Sequence, residues 1–136
     1  MLMHDDNIPG KDKRITRNPF SRADVQLAKL AAEIPKDDGW LYELKYDGYR
    51  IMAFVEAERV RLMTRNGKDY TRRFAEVENA LVKLASGRAM VLDGEMVITD
   101  QEGRTDFQAL QNYLQTPQKY GQKLSYIVFD LVALDG

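Results

Sequence analysis

The segment Trp40–Arg50, WLYELKYDGYR, constrains the fold of this chain more than any other stretch. Large apolar residues alternate with charged ones from Tyr42 to Asp47, and this period of two predicts a strand that is buried on one face. Glu43, Lys45 and Asp47 share the opposite face of that strand. The dipeptide Asp47-Gly48 is typical of a tight bend, so we expect a second strand directly after it.

Lys45, between two carboxylates, fits two interpretations. The ordinary one is a solvated lysine on the wet face of a hairpin, because lysine is almost never fully buried. The other is a nucleophile, since a deprotonated amine can attack phosphorus when burial or neighbouring cations favour that form. Arginine could not take this role, because guanidinium stays protonated. The pattern of residues alone leaves both interpretations open.

Two further stretches continue the alternation and predict strands at Tyr49–Glu56 and Val60–Thr64. Short links join them to each other and to the strand before Gly48, so we expect a three-stranded antiparallel meander. Asn66-Gly67 then predicts a turn.

The remaining patterns predict three helices and two long strands. Apolar stripes at helical spacing favour helices at Val25–Ile34, at Phe74–Ala85 and from a cap at Thr105 to Gln115. Apolar runs predict strands at Ala89–Thr99 and Leu124–Leu134, the second of which is typical of a central strand buried on both faces. Together the elements predict an α+β fold with a largely antiparallel sheet and flanking helices.

Two carboxylates share one face of the strand predicted at Ala89–Thr99. Asp93 and Glu95 are two residues apart and therefore point the same way, among apolar neighbours. The pattern is as compatible with a solvent-facing surface as with a binding site.

Composition excludes several classes of protein. The chain of 136 residues with 44% hydrophobic residues can form one domain or part of one. The absence of cysteine excludes disulfides and thiolate metal sites. No apolar run is long enough for a membrane helix, and the N-terminus lacks the apolar run of a signal peptide, so we expect a cytoplasmic protein without membrane contact. Residues 1–24 are polar and predict an arm or linker.

Charge is unevenly distributed along the chain, although the net charge of −1 gives no sign of nucleic-acid binding. The segment 59–73 is basic, and acids outnumber bases from Asp93 onward. A basic segment beside an acidic one would suit a site for polyphosphate and a divalent metal, but the composition alone favours ordinary surface charge.

Three motifs carry a resemblance to a known family. Residues 45–50, KYDGYR, are similar to the KxDGxR signature of the covalent nucleotidyltransferases, which comprise ATP-dependent DNA ligases, RNA ligases and mRNA capping enzymes. Asp93-Gly94-Glu95 resembles the DGE motif of that family, and Phe129-Asp130 its FD motif. With Trp40 and Glu43 ahead of the first motif, the chain most resembles the ligase domain of bacterial end-joining DNA ligases, over roughly residues 27–136.

The resemblance implies a mechanism and a set of site residues. Lys45 would attack the α-phosphate of ATP and form a covalent lysine-AMP intermediate, which serves to seal nicked or broken DNA. Mg²⁺ is the implied metal, with Glu95 as a partial ligand. The residues implied at the nucleotide are Glu43 at the adenine, Arg50 and Glu95 at the ribose, Arg65 near the ribose or phosphates, and Phe129 stacked on the base.

The family pattern continues beyond the motifs found here. A further glutamate motif, a lysine motif that contacts the phosphates and an OB-fold domain are absent from this sequence, so residues 25–136 are expected to form the N-terminal part of an adenylation domain. We expect the isolated chain to be inactive or very slow, and to self-associate. An RNA ligase, a capping-type guanylyltransferase and a catalytically inactive nucleotide- or DNA-binding remnant stay open as alternatives.

Overall fold

A computed structural model describes residues 26–116 and 123–135 of the chain. The predicted polar arm at residues 1–24 lies outside this range. Four antiparallel strands form one sheet in the order β2-β1-β3-β4, namely β1 (Tyr49–Glu56), β2 (Arg59–Thr64), β3 (Met90–Thr99) and β4 (Lys123–Leu134). Two helices, α1 (Ala75–Ala85) and α2 (Phe107–Gln115), follow β2 and β3 in the chain. The predicted α+β fold is therefore confirmed.

The two faces of the sheet differ in what covers them. Ile51, Ala53 and Val55 of β1 point towards the helices and belong to the main hydrophobic core. Arg50, Met52 and Phe54 lie on the opposite face. We call it the site face because it carries Arg50, Asp93 and Glu95. The alternation predicted for β1, β2 and β3 is confirmed on both faces.

The helices close the core on the other side of the sheet. Phe74 ends a short 3₁₀ helix (Thr71–Phe74) and is fully buried, as is Leu110 of α2. Helical spacing predicts an apolar stripe on α1 made of Phe74, Val77, Leu81 and Leu84. That prediction is wrong at Leu84, which is 66% exposed, because Ala85 takes the core position instead. The cap of α2 lies at Asp106 and not at Thr105, since the Asp106 carboxylate accepts from the Ala109 N–H at 2.9 Å.

The segment from residue 26 to residue 48 contains no helix or strand, so the predictions at Val25–Ile34 and Trp40–Asp47 are wrong over the described part. A strand needs a neighbour for its backbone N–H and C=O groups. Both edges of β1 are already occupied, one by β2 and the other by β3, so the three-stranded meander is wrong too. Leu41 and Leu44, 92% and 79% exposed, show that the segment buries little.

Strand β4 also differs from its prediction, because it is the last strand on its side of the sheet. Its apolar residues are correspondingly open to solvent, with Leu131 at 55% and Val132 at 47% exposure. An apolar run shows that both faces of a strand are suited to burial. It does not show that another element of the fold packs against those faces.

No helix in the described ranges is long and apolar enough to cross a membrane.

Candidate nucleotide site

The register of three strands brings the candidate residues together on the site face. Arg50 of β1 is directly opposite Glu95 of β3, and Met52 is opposite Asp93. On the far side of β3, Glu95 pairs with Ile127 and Asp93 pairs with Asp130 of β4. Opposed residues of antiparallel strands point to the same face, so one cation and several carboxylates meet here.

Arg50 is held by Asp93 through two parallel hydrogen bonds. The Arg50 Nε–H donates to Oδ1 at 3.0 Å, and an Nη2–H donates to Oδ2 at 2.7 Å. Asp93 is only 5% exposed. The Asp93 hydrogen bond raises the pKa of Arg50 above its ordinary value, against the effect of burial. The Arg50 Nη1 donates to the carbonyl of Gln26 at 2.5 Å.

Glu95 lies between this pair and the bend that follows Lys45. Burial raises the pKa of Glu95 above its ordinary value, and the neighbouring charge of Asp47 acts in the same direction. A hydrogen bond from the Gly48 N–H to Oε1 at 3.2 Å opposes the rise in pKa, as do the charges of Lys45 and Arg50. Lys45, Asp47 and Glu95 therefore interact electrostatically, although Lys45 itself is exposed.

Substitution Glu95→Gln is expected to stabilise the fold at neutral pH. A carboxyl group with a raised pKa binds its proton more tightly in the folded state, so the ionised form destabilises the fold. The contribution of Glu95 to the free energy of unfolding is therefore most favourable below the ordinary pKa of 4.5 and falls as the pH rises through the raised value. Glutamine keeps an acceptor for Gly48 without the charge.

Urea unfolding of both proteins over a pH series measures this effect. The variant should be the more stable at pH 7, and the difference should vanish below about pH 4.5. A difference that does not change with pH would contradict the raised pKa.

Phe129 reaches the site through a bulge in β4. The register passes from Gly94–Val128 to Asp93–Asp130, which leaves Phe129 without a partner on β3. Phe129 is 39% exposed, and the Arg50 guanidinium lies over its ring with 5.5 Å between Cζ and the ring centroid. An extra residue turns the side chains of a bulge away from strict alternation, and here it presents an aromatic ring beside the Arg50–Asp93 pair.

Two glycines allow the close contacts that hold this arrangement. A Cβ at Gly48 would lie 2.0 Å from the Met96 carbonyl oxygen. A Cβ at Gly94 would lie 2.5 Å from the Ile127 carbonyl oxygen and 2.8 Å from the Tyr126 ring. Gly94 therefore makes room for Tyr126, whose hydroxyl donates to the Ile51 carbonyl at 2.8 Å on the helix side of the sheet.

A cavity of about 430 Å³ opens beside the Gly48 bend. Its lining includes Gly48, Arg50, Arg65, Lys68, Tyr70 and Glu95. Two exposed cations thus border the cavity opposite a carboxylate, and Arg65 follows the end of β2 in the turn that Asn66-Gly67 predicts. The Gly67 N–H donates to the Thr64 carbonyl at 2.8 Å, which confirms that turn.

The structure brings together most, but not all, of the residues predicted at the site. Arg50 and Phe129 are in contact, Arg65 borders the same cavity as Arg50 and Glu95, and Lys45 interacts with Glu95. Glu43 is exposed in the segment without regular structure, and no contact within the described residues joins it to the others. Sequence reasoning missed the contact between Asp93 and Arg50, although the spacing of Asp93 and Glu95 placed both carboxylates on one face.

The acidic side chains fit a partial magnesium site and not a complete one. Among the described residues, no group of three acidic or histidine side chains could hold a metal ion. Both oxygens of Asp93 are already bound to Arg50. Mg²⁺ is commonly held by one or two carboxylates together with substrate phosphates and water. Glu95 can supply one such carboxylate.

Comparison with known protein families gives one match over most of the chain. A family model described as ATP dependent DNA ligase domain matches residues 23–136. Multifunctional non-homologous end joining protein LigD of Pseudomonas aeruginosa is 47% identical over 111 residues, which are 82% of this chain and 13% of that protein. DNA ligase C of Mycobacterium tuberculosis is 36% identical over 114 residues, 79% of this chain and 31% of that protein.

Solved structures give the same result at the level of the fold. The ligase domain of M. tuberculosis LigD superimposes with a TM-score of 0.60 at 33% identity, over 69% of this chain and 29% of that one. A mycobacterial DNA ligase D complexed with ATP and MES superimposes equally well. The chain spans only about an eighth of the length of the Pseudomonas aeruginosa and mycobacterial LigD relatives.

Proposed function

Because this chain belongs to the family of ATP-dependent DNA ligase domains, we propose that it forms the nucleotide-binding part of an adenylation domain in which Lys45 becomes covalently joined to AMP. The observation that carries the proposal is the meeting of Arg50, Glu95 and Phe129 on one sheet face, beside the bend that follows Lys45. The same face offers a cation, a carboxylate and an aromatic ring, which are the groups that a nucleotide requires.

The first step joins Lys45 to the nucleotide. The deprotonated Nζ attacks the α-phosphorus of ATP, an N–P bond forms, and the P–O bond to the β-phosphate breaks. Pyrophosphate leaves with the bonding electron pair, and the amine proton passes to water. Mg²⁺, when bound, screens the charge of the triphosphate, with Glu95 as one ligand.

The protein side chains position the substrate in this step. Phe129 stacks on the adenine, Arg50 and Glu95 hold the ribose, and Arg65 contacts the ribose or the phosphates. Glu43 reads the adenine only if the segment before Gly48 folds over the site, because it stands apart in the present conformation.

The later steps would use DNA as the acceptor. AMP passes from Lys45 to a 5′-phosphate at a break, as the N–P bond breaks and the lysine regains its proton. The 3′-hydroxyl then attacks this 5′-phosphate, the phosphodiester bond forms and AMP leaves. These steps belong to a longer protein than the segment matched here, and we propose that the described residues supply the first step in the presence of the remaining domain.

The basic segment 59–73 is the proposed contact for the DNA backbone. Its six cations are all exposed, and two of them lie over aromatic rings, Arg61 over Phe54 and Arg73 over Tyr70, at 5.3 and 4.9 Å. Tyr70 borders the cavity, so the segment runs from the nucleotide site along β2. Phosphate contacts need positive charge within reach and carry no sequence information.

The combined variant Arg72→Ala, Arg73→Ala is expected to weaken binding to nicked DNA and to reduce the salt dependence. Each lost phosphate contact should lower the slope of log K against log salt by about 1. Fluorescence anisotropy over a salt series measures the slope. Lys83→Ala on α1 is the control, because it removes an exposed charge outside the segment. An unchanged slope in the double variant would exclude these residues as DNA contacts.

Covalent labelling tests the proposed function. The chain is incubated with Mg²⁺ and ATP or GTP labelled at the α-phosphate, alone and with the C-terminal part of a LigD ligase domain supplied separately. We expect label from ATP and none from GTP, and little or none without the added part. Label from GTP would favour a capping-type guanylyltransferase. No label from either nucleotide, with the added part present, would favour an inactive binding module.

A further inference from the structure

The contact between Arg50 and Asp93 fixes the Arg50 side chain through groups of the protein alone. Two N–H groups of the guanidinium are bound to the two oxygens of one carboxylate, at 3.0 and 2.7 Å. Such a bidentate pair sets the plane and the direction of the guanidinium, which a single bond does not. The group is thereby placed over the Phe129 ring, with its Nη1 side turned towards the 26–47 segment.

Within the described residues, Asp93 has no hydrogen-bond partner other than Arg50 that would explain its burial. The Asp93 side chain is 7% exposed, and the Arg50 side chain is 22% exposed. The hydrogen bonds of the Asp93 side chain in this part of the chain are both to Arg50. A buried ion pair gives little net stability, because desolvation offsets the attraction between the charges. Orientation of Arg50 is therefore a better explanation of Asp93 than stability.

We propose that Asp93 is a positioning residue, which holds the Arg50 guanidinium beside the Phe129 ring so that it can bind the nucleotide without reorganisation. The proposal rests on the proposed function, since it assigns Asp93 to the same nucleotide site. Asp93 itself does not touch the nucleotide; it acts through Arg50. A long arginine side chain loses rotamer freedom when it is fixed, and here the two hydrogen bonds to Asp93 impose that loss.

The sign of the effect on ATP binding separates this role from simple electrostatics. ATP is an anion, so removal of a nearby carboxylate should strengthen its binding if charge alone matters. If Asp93 positions Arg50, removal should weaken ATP binding despite the improved charge balance. Asp93→Asn keeps the shape of the side chain and removes the charge and one acceptor.

Equilibrium dialysis with ATP and Mg²⁺ is the first measurement. We expect Asp93→Asn to bind ATP about tenfold more weakly than the wild type, as for loss of one charge-assisted hydrogen bond. Asp93→Asn should not weaken ATP binding further in an Arg50→Ala background, because residues that act through each other are not additive. Asp135→Asn, which breaks the Arg88–Asp135 pair at the start of β3, is the matched control and should bind ATP normally.

The Arg50 Nε–H signal in ¹⁵N NMR spectra provides a second measurement that needs no ATP. It should shift and exchange faster with water in Asp93→Asn, and it should be unchanged in Asp135→Asn. An unchanged Arg50 signal, or ATP binding as tight as in the wild type or tighter, would overturn the positioning role. If the wild type binds no ATP, nucleotide binding by this chain alone fails, and the NMR result still decides whether Asp93 orders Arg50.

Discussion

Lys45→Ala is expected to form no covalent adduct with AMP under conditions in which the wild-type chain does. The side chain that would attack phosphorus is removed, and neither the exposed lysines nor Arg50 can replace a nucleophile placed at the Gly48 bend. With the C-terminal part of a LigD ligase domain present, intact mass after incubation with ATP and Mg²⁺ should show a gain of one adenylate group in the wild type and none in the variant.

Lys36→Ala is the matched control for this experiment. Lys36 is an exposed lysine in the same segment without regular structure, and no candidate site residue contacts it. The control should gain the adenylate group as the wild type does. Brief treatment with acid should release the group, because an N–P bond is acid-labile whereas a phosphate ester of serine or tyrosine is stable. An adduct that persists in Lys45→Ala would place the nucleophile elsewhere and contradict the assignment.

Local patterns predicted the elements whose partners are close in the chain. The alternation in β1 and β2 identified both strands and both faces, because a hairpin supplies its own pairing partner. The same alternation failed at residues 40–47, where a strand would need a neighbour that β1 cannot provide. Period-two patterns show which side of a strand would be buried. They do not show whether another strand lies alongside it.

The features of the site that could be predicted are those that depend only on which residues share one face of a strand. Asp93 and Glu95 lie on the same face of β3, as their spacing predicted. The contact between Asp93 and Arg50 was not predicted, because it depends on the register of β1 and β3 and joins residues that are 43 positions apart in sequence. The position of the Phe129 side chain depends on a bulge in β4, and a strictly alternating pattern does not predict bulges. The roles given to the site residues all stay predictions, for Lys45 as nucleophile and for Glu43, Arg50, Arg65, Glu95 and Phe129 at the nucleotide.

Gly48→Ala is expected to reduce AMP adduct formation about ten- to a hundredfold. A methyl group at this position would lie 2.0 Å from the Met96 carbonyl oxygen and 2.9 Å from the Val97 side chain, so the backbone at the bend has to move. That shift breaks the hydrogen bond from the Gly48 N–H to the Glu95 carboxylate. It also displaces Lys45, which lies three residues earlier in the chain. Overpacking of this kind destabilises the local structure by about 1–3 kcal/mol. The structure affected is the bend that connects Lys45 to the site face.

Gly103→Ala distinguishes a local effect at the site from a general loss of stability. Gly103 has φ of +81°, and a methyl group added there would meet no atom within 4 Å, so its substitution strains the backbone without a clash and outside the candidate site. It should lower the midpoint of thermal unfolding and leave the adduct yield per folded molecule unchanged. Gly48→Ala should lower that yield even after correction for the folded fraction, as measured by circular dichroism at the assay temperature. Equal yields per folded molecule in the two variants would mean that the bend only supports the fold, and that Lys45 does not depend on the contact between Gly48 and Glu95.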